Sequence, residues 1–307
     1  MGKSIRSASP TRRPEPAVAP LKVTIGILCF NQVDLIGSVI ESARQQTREA
    51  DEILVVDDGS TDESRTVVQS YPGVRLVTHS ENRGRAAART TVLSAASGDV
   101  VVYLDGDTTA DPALVENLLA EYEPDVGAVG AVVREVTIQT LYDRWRAKHA
   151  TELRLTEPNR DASVLYGWGL SCRRQLALDL GGLRAGSEDI DLTMRIRKSG
   201  ARLVITPRAR VYHLRTDSWR TLQDMVFRWG FGGYVACARN GDLRTFPHVK
   251  RMMRRTRNRL TQDVLRDFDL RLAGISLLLI PPEIFGVLQA RRWMRTGRVD
   301  PARLRGL

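Results

Sequence analysis

Short apolar runs alternate with helical stretches between residues 23 and 104, and this alternation constrains the fold more than any other feature of the sequence. The apolar runs are rich in β-branched residues, which predicts buried strands, and the stretches between them space their apolar residues as helices do. The predicted strands are 23–30, 52–57, 74–77 and 99–104, and the predicted helices are 34–45, 62–70 and 84–96. Such alternation is typical of a parallel sheet flanked by helices, in which ligands bind beyond the carboxyl ends of the strands.

The net charge of +10 is distributed unevenly along the 307 residues. Residues 216–307 contain 18 Lys and Arg against 8 Asp and Glu, whereas residues 21–215 contain 24 against 27. A basic tail on a nearly neutral body indicates an anionic partner. A membrane is a better candidate than nucleic acid, because no nucleic-acid-binding motif accompanies the charge. A merely solvated Arg-rich surface is the alternative. We predict an α/β domain over 21–215 and a helical basic extension over 216–307.

The N-terminal segment and the cysteines bear on the cellular compartment. Residues 1–20 contain four prolines and no apolar run, so they do not look like a secretory signal, and we predict a disordered leader there. The three cysteines, Cys29, Cys172 and Cys237, have neither metal-site nor disulfide-framework spacing, which fits a reducing cytosol. The sequence therefore predicts a cytoplasmic protein, peripheral at a membrane surface if the basic tail binds lipid.

Acidic residues follow two of the predicted strands. Asp58 lies in the turn after strand 52–57, where a carboxylate can accept hydrogen bonds from a base or a ribose, although a plain strand–turn–helix connection explains the same residues. Asp105 and Asp107 flank one glycine after strand 99–104, and two carboxylates so close repel each other unless a cation or a donor shares them. Carboxylate oxygens are ligands of Mg²⁺ and Mn²⁺. This second turn therefore predicts a divalent metal site that also holds substrate phosphates.

Taken in order, four segments of the chain resemble the family 2 glycosyltransferases, whose fold is called GT-A. The segments are 23–31, 52–62, 81–89 and 103–107, and the resemblance continues at 181–182 and 188–192. It covers about residues 21–215. It implies a mixed, mainly parallel sheet flanked by helices, and a sugar transferred with inversion from a nucleoside-diphosphate sugar, with UDP-sugars favoured as donors. Mg²⁺ or Mn²⁺ is the implied cofactor.

The resemblance also implies roles for individual donor-site residues. Phe30 matches an aromatic position that stacks on the nucleobase, and Asp58 matches the acidic residue that meets the edge of the base. Arg89 matches a basic residue near the donor. Asp105 is expected to approach the ribose or the metal, and Asp107 is expected to bind the metal.

A further acidic cluster, Glu188-Asp189-Ile-Asp191, matches the catalytic segment of the family. The resemblance makes Asp189 the general base that takes the proton of the acceptor hydroxyl, with Asp191 as its competitor, and it places Glu188 at the donor. A structural interpretation is also open, because Glu188 and Asp191 would equally well cap or orient a helix over 190–198.

His213 and Trp168 are two further candidate site residues. His213 ends an apolar run, and some relatives have a metal-binding histidine at a similar place, although a lone histidine is as well explained as an ordinary core or surface residue. Trp168 stands between two glycines, which suits a loop that stacks on a sugar ring, but a core tryptophan would look the same.

The extension contains helical pieces and a basic block. Asp217 or Ser218 would cap a helix that residues 231–234 interrupt, and residues 250–259 are densely basic. The apolar run over 272–280 ends at two prolines, which makes it too short for a transmembrane helix. Two interpretations are open: an interfacial segment on anionic lipid, or a helical cap on the catalytic domain or contact within a dimer.

Together these features predict an inverting, metal-assisted glycosyltransferase that moves a sugar from a nucleotide-sugar to an acceptor hydroxyl, such as that of a glycan or a lipid-linked substrate. Two alternatives remain at this stage: a nucleotide-sugar-binding scaffold without catalysis, and a nucleotidyltransferase, which has a similar sheet. The combination of Asp105, Asp107 and Asp189 argues against the scaffold, because a binding protein needs no general base.

Overall fold

A computed structural model describes residues 20–151, 158–241 and 245–296, except for the side chains of Thr151 and of residues 245–252. The predicted leader therefore lies outside the described residues apart from Pro20, and in the basic block the side chains of residues 250–252 are not described.

Eight strands form one sheet. They are β1 (Val23–Cys29), β2 (Glu52–Asp57), β3 (Val74–Thr78), β4 (Val100–Asp105), β5 (Thr108–Ala110), β6 (Val126–Glu135), β7 (Leu170–Arg173) and β8 (Arg202–His213). Their order across the sheet is β3-β2-β1-β4-β7-β6-β8-β5. Strands β3, β2, β1 and β4 are parallel to one another, and β6 is parallel to β8, whereas β7 and β5 run antiparallel to their neighbours. This confirms the predicted mixed, mainly parallel sheet.

Eleven α-helices complete the described part of the chain. They are α1 (Ile36–Arg44), α2 (Ser64–Gln69), α3 (Arg85–Ala95), α4 (Leu114–Leu119), α5 (Leu141–Arg146), α6 (Arg174–Asp179), α7 (Glu188–Lys198), α8 (Trp219–Arg239), α9 (Thr245–Leu260), α10 (Leu270–Leu278) and α11 (Ile280–Thr296). Two π-helical turns, Ala147–Thr151 and Thr261–Arg266, follow α5 and α9. The strands and helices predicted between residues 23 and 104 agree with the structure to within two residues at each end.

The central strands are buried on both faces, which explains their almost continuous apolar sequences. On β1, Ile25 and Ile27 join a core with α1, α2 and α4, whereas Leu28 joins the opposite core with α3, α6 and α7. Gly26 allows α3 to approach the strand, because a Cβ atom there would overlap the side chain of Val92. Helices therefore cover the faces of the sheet and leave the carboxyl ends of its strands to form a site.

Helix α8 is continuous, so the predicted interruption at 231–234 is wrong. Ser218 caps the helix as predicted, in a capping box with Thr221. The glycines serve close packing rather than a break: a Cβ atom at Gly230 would overlap the carbonyl oxygen of Glu283 in α11, and one at Gly232 would overlap Ser187. The extension is thereby packed against α7 of the catalytic domain. The boundary after residue 215 stays a prediction.

Replacing Gly230 with alanine is expected to destabilise the protein by about 1–3 kcal/mol, because the new methyl group forces α8 and α11 apart. The matched control is Gly274→Ala in α10, where a Cβ atom meets nothing within 4 Å. That change should be neutral or stabilising, because alanine is the better helix former. Urea unfolding measures both variants. An unchanged midpoint for Gly230→Ala would contradict the close contact.

One residue, Leu279, separates α10 from α11, so the helix breaks two residues before the predicted position at the prolines. Pro281 and Pro282 lie in the first turn of α11, where a helix does not need their missing N–H groups. Within the described residues, one helical stretch, Leu270–Thr296, is long and apolar enough to cross a membrane by length and composition. The core helix of a soluble protein passes the same test, and 44% of the most apolar window here is buried in the protein.

Candidate active site

A cavity of about 340 Å³ lies at the carboxyl ends of the central strands. Strands β1 and β4, the turn after β4, the end of β8 and helix α8 supply part of its lining. Six of the predicted site residues line this cavity: Phe30, Asp58, Asp105, Asp107, Trp168 and His213. We refer to it as the donor cavity, after the role that the sequence analysis predicts for these residues.

A larger cavity of about 920 Å³ adjoins the first. It is lined by the remaining predicted residues, Arg89, Glu188 and Asp189, and by parts of α8 and α9. Both cavities touch Asp105 and Trp168, so the two volumes meet at these residues. We refer to the larger one as the acceptor cavity, after the role that the sequence analysis predicts for Asp189. The fold thus brings all nine predicted residues together, and their chemical roles stay predictions.

Phe30 and Asp58, the two residues expected to contact the nucleobase, differ in their burial. Phe30 is 41% exposed at the mouth of the donor cavity. Asp58 is buried: its carboxylate accepts hydrogen bonds from the backbone N–H groups of Arg83 (3.0 Å) and Gly84 (2.8 Å), and it lies 2.6 Å from Nδ1 of His79. Asp58 therefore fixes the turn that starts α3. A carboxylate has about four lone-pair sites, so Asp58 can still accept from a ligand.

Arg89 is a buried link between two acidic segments. Its guanidinium donates to Asp105 at 2.8 Å and to Glu188 at 2.9 Å, which ties the end of β4 to the start of α7. Burial by itself would lower the pKa of Arg89, but the two carboxylates raise it. The charge of Arg89 in turn lowers the pKa of Asp105 against the effect of burial. Because Arg85 also pairs with Glu188, the Glu188 carboxylate has two cationic partners within the protein.

Asp107 and His213 come together because β5 pairs with β8, which sets Thr108 opposite His213. Nδ1 of His213 lies 2.8 Å from Oε1 of Glu135, which leaves Nε2 as the nitrogen available to a ligand. Glu135 also accepts a hydrogen bond from Arg146 at 2.7 Å. Burial would raise the pKa of Glu135, but the hydrogen bonds from His213 and Arg146 lower it to about 2. Glu135 is thus a charged residue that orients the imidazole.

The donor atoms of this pair fit a divalent cation. In the described part of the chain, no group of three or more His, Cys, Asp and Glu side chains is arranged to hold a metal. Two protein ligands are nevertheless enough for Mg²⁺ or Mn²⁺ in a phosphate site, because substrate phosphates and waters complete the coordination. Asp107 offers an oxygen and His213 a nitrogen beside the same cavity.

Asp189 is the half-buried carboxylate that faces the acceptor cavity. It accepts hydrogen bonds from the backbone N–H groups of Gly167 (2.7 Å) and Ile190 (2.8 Å), at the start of α7. Its predicted competitor Asp191 is fully buried and bound by Arg195 at 2.8 Å and by Asn240. Asp191 therefore has a structural role, and of the two carboxylates only Asp189 lines a cavity.

Aromatic residues form the wall between the cavities. Trp168 stacks on Tyr166 with 5.2 Å between ring centroids, and it meets His213 edge-on at 6.0 Å. Trp168 is half-buried and lines both cavities, and its contact with a sugar ring stays a prediction.

Several site residues escaped the sequence analysis. Arg215 lies 3.7 Å from Asp107, and Arg228 and Trp229 of α8 line both cavities. The sequence did contain a sign of Arg228 and Trp229. Helical spacing puts Arg228 on the same face as Met225 and Trp229, so a cation lies on an otherwise apolar face. No such signal existed for Glu135 and Arg146, which meet His213 only in the folded protein.

The sheet, the acidic turn after β4 and the paired cavities define a glycosyltransferase of the GT-A fold. The chain belongs to glycosyl transferase family 2: a sequence model of that family matches residues 24–180. This confirms the resemblance seen in the sequence.

Three known proteins are similar to this chain. The pre-mycofactocin glycosyltransferase of Mycobacterium tuberculosis is 33% identical over 193 residues, which are 59% of this chain and 40% of that protein. The chain thus spans less than half the length of this relative. The Pyrobaculum calidifontis mannosyltransferase PcManGT, solved with GDP-Man and Mn²⁺, is 21% identical with a TM-score of 0.59, covering 95% of this chain and 81% of that one. GalNAc-T7, solved with UDP, GalNAc and Mn²⁺, is 18% identical with a TM-score of 0.54, covering 72% and 50%.

Proposed function

We propose that the protein transfers a sugar, with inversion and with the help of a divalent metal, from a nucleoside-diphosphate sugar to an acceptor hydroxyl. The observation that carries this proposal is the junction of the two cavities at Asp105 and Trp168. Asp107 and His213 line one side of that junction, and Asp189 lines the other. A donor and an acceptor held on these two sides would meet with their reacting atoms adjacent.

The donor cavity suits a nucleotide. Phe30 offers an exposed ring for stacking on the base, and Asp58 offers acceptor capacity to the edge of the base. The two solved proteins named above hold a guanosine and a uridine nucleotide respectively, each with Mn²⁺. We take UDP-sugars as the first donors to test.

Asp107 and Nε2 of His213 would hold the metal, with Glu135 fixing the imidazole. When bound, the metal supplies Lewis-acid stabilisation of the negative charge that develops on the leaving diphosphate. The nearby guanidinium groups of Arg215 and Arg228 add positive charge on the same side.

Asp189 is the general base in this proposal. The acceptor oxygen attacks the anomeric carbon while the bond from that carbon to the diphosphate oxygen breaks, and the hydroxyl proton passes to the Asp189 carboxylate. Attack from the face opposite the leaving group inverts the anomeric configuration. The N–H groups of Gly167 and Ile190 keep the carboxylate oriented for this step.

Incubation with UDP-, GDP- and dTDP-sugars tests the proposal, with Mn²⁺, Mg²⁺ or EDTA added. We expect one donor class to release nucleoside diphosphate slowly by transfer to water, and we expect EDTA to stop the release. Release of pyrophosphate instead would indicate nucleotidyl transfer. Absence of binding to every nucleotide would contradict the proposal.

We also propose that the outer face of α10 and α11 rests on an anionic membrane surface. Four large apolar side chains of this face are at least 43% exposed: Leu277, Leu278, Phe285 and Leu288. Exposed arginines, Arg291 and Arg292 among them, lie on the following turns of α11. An apolar face beside basic residues is typical of segments that lie in the interface of an anionic bilayer.

Sedimentation with phosphatidylglycerol vesicles tests this contact, with phosphatidylcholine vesicles as the neutral comparison. We expect the double change Leu277→Ser and Leu278→Ser to lower vesicle binding by at least tenfold, because two exposed leucines no longer enter the apolar layer. Arg291→Gln should weaken binding to the anionic vesicles alone, whereas the control Arg44→Gln on α1 should not. Equal binding of the serine variant and the wild type would contradict the proposal.

A further inference from the structure

The side chains that line the acceptor cavity carry more positive than negative charge. Eight Arg and Lys side chains line it, against three carboxylates, Asp105, Glu188 and Asp189. Arg89 already binds the first two of these. Such an excess of cations, set among apolar and aromatic side chains, favours an anionic occupant.

Four of the lining arginines, Arg197, Arg228, Arg254 and Arg259, have side chains with no hydrogen bond or ion pair to any other residue that the structure describes. Arg259 is the strongest case, because it is only 8% exposed. Its guanidinium lies 4.9 Å from the ring centroid of Trp145, and burial lowers its pKa to about 10. A buried cation without an acceptor is costly, so an anion contributed by a ligand would compensate it.

The arginines of α9 and the proposed base lie near the same aromatic side chain. Tyr166 lines the acceptor cavity together with Asp189 and with three arginines of α9, Arg254, Arg255 and Arg259. Arg255 itself is paired with Glu283 at 2.6 Å. The neighbouring Arg254 on α9 has no such partner among the described residues, so its guanidinium is the one available to a ligand.

We propose that Arg254 and Arg259 bind an anionic oxygen group, a phosphate or a carboxylate, of the acceptor, while the acceptor hydroxyl faces Asp189. This inference rests on the proposed transferase function and adds the chemical class of the acceptor. Guanidinium groups bind both kinds of oxyanion through paired N–H···O bonds. The donor cavity has its own cations, so the two anionic groups would be held apart.

Calorimetric titration into the protein saturated with Mg²⁺ and a nucleoside diphosphate tests the inference. The probes are inorganic phosphate, glucuronate and neutral glucose. We expect phosphate or glucuronate to bind more tightly than glucose, and the tighter of the two identifies the oxyanion. Arg254→Gln and Arg259→Gln should each weaken that binding by about tenfold or more, because each removes a charge-assisted hydrogen bond. The matched control is Arg257→Gln, an exposed arginine of α9 that does not line the cavity.

Equal binding of the anions to wild type, Arg254→Gln and Arg257→Gln would overturn the inference, as would binding of glucose as tight as that of the anions. Arg254 is exposed, so its variant is expected to fold even if Arg259→Gln does not. Metal-dependent release of nucleoside diphosphate to water should persist in the control Arg257→Gln. Loss of anion binding in Arg254→Gln but not in Arg257→Gln supports the inference, whereas a wild type that releases no nucleoside diphosphate contradicts the proposed function instead.

Discussion

Replacing Asp189 with asparagine is expected to lower the rate of transfer by about 10²–10⁴-fold, because an amide cannot take the proton of the acceptor hydroxyl. The change is nearly isosteric, and the amide oxygen can still accept the hydrogen bond that the Gly167 N–H donates. Asp189 does not line the donor cavity, so nucleotide affinity should stay unchanged. Steady-state release of nucleoside diphosphate and calorimetric titration of the nucleotide measure the two effects.

Asp191 provides the control for this experiment. Its carboxylate is buried and bound by Arg195 and Asn240, away from both cavities. Asp191→Asn should therefore lower the temperature of unfolding while the folded enzyme keeps its turnover. A larger loss of turnover in Asp191→Asn than in Asp189→Asn would exchange the roles of the two residues.

Replacing Asp107 with alanine is expected to lower donor turnover by at least 10²-fold. The change removes the only carboxylate that we assign as a metal ligand, and metal stabilisation of a leaving diphosphate amounts to several kcal/mol, where about 1.4 kcal/mol is tenfold in rate. EDTA should bring the wild type to a similarly low rate and should add little to the loss in Asp107→Ala. Rates measured with and without Mn²⁺ in both proteins test this non-additivity.

Asp111 is the matched control, because it lies four residues further along the chain and lines neither cavity. Its carboxylate accepts hydrogen bonds from the hydroxyl of Tyr212 at 2.7 Å and from the N–H of Ala113. Asp111→Ala should cost about 1 kcal/mol of stability and leave turnover and its EDTA sensitivity unchanged. If EDTA slows Asp107→Ala as strongly as it slows the wild type, the metal is bound elsewhere.

The part of the fold that local pattern controls could be predicted. Strands β1 to β4 are short, β-branched and buried on both faces, so their sequences differ clearly from the helices between them. Polar residues directly after such strands must lie at the same edge of the sheet. For this reason Asp58, Asp105 and Asp107 could be placed in one site before the structure was known.

Features that depend on distant parts of the chain could not be predicted. Gly230 and Gly232 have the same sequence signature as a helix break, and only the positions of Glu283 and Ser187 show that they serve close packing. The carboxylate that orients His213 comes from Glu135, 78 residues earlier.

The basic tail is another feature whose packing could not be predicted from the sequence. Its basic charge suggested a surface partner, yet Arg228 and Arg259 line the cavities because α8 and α9 fold back over the site. Helical periodicity identifies which residues share a face, but it does not say what that face packs against.

The most direct test of the proposed active site is anomalous diffraction from crystals grown with Mn²⁺ and the nucleoside diphosphate that binds most tightly. We expect one Mn²⁺ peak at about 2.0–2.3 Å from a carboxylate oxygen of Asp107 and from Nε2 of His213. The diphosphate should complete the coordination, and the base should stack on Phe30. A nucleotide in the donor cavity without Mn²⁺ at Asp107, or Mn²⁺ bound only at other residues, would contradict the account.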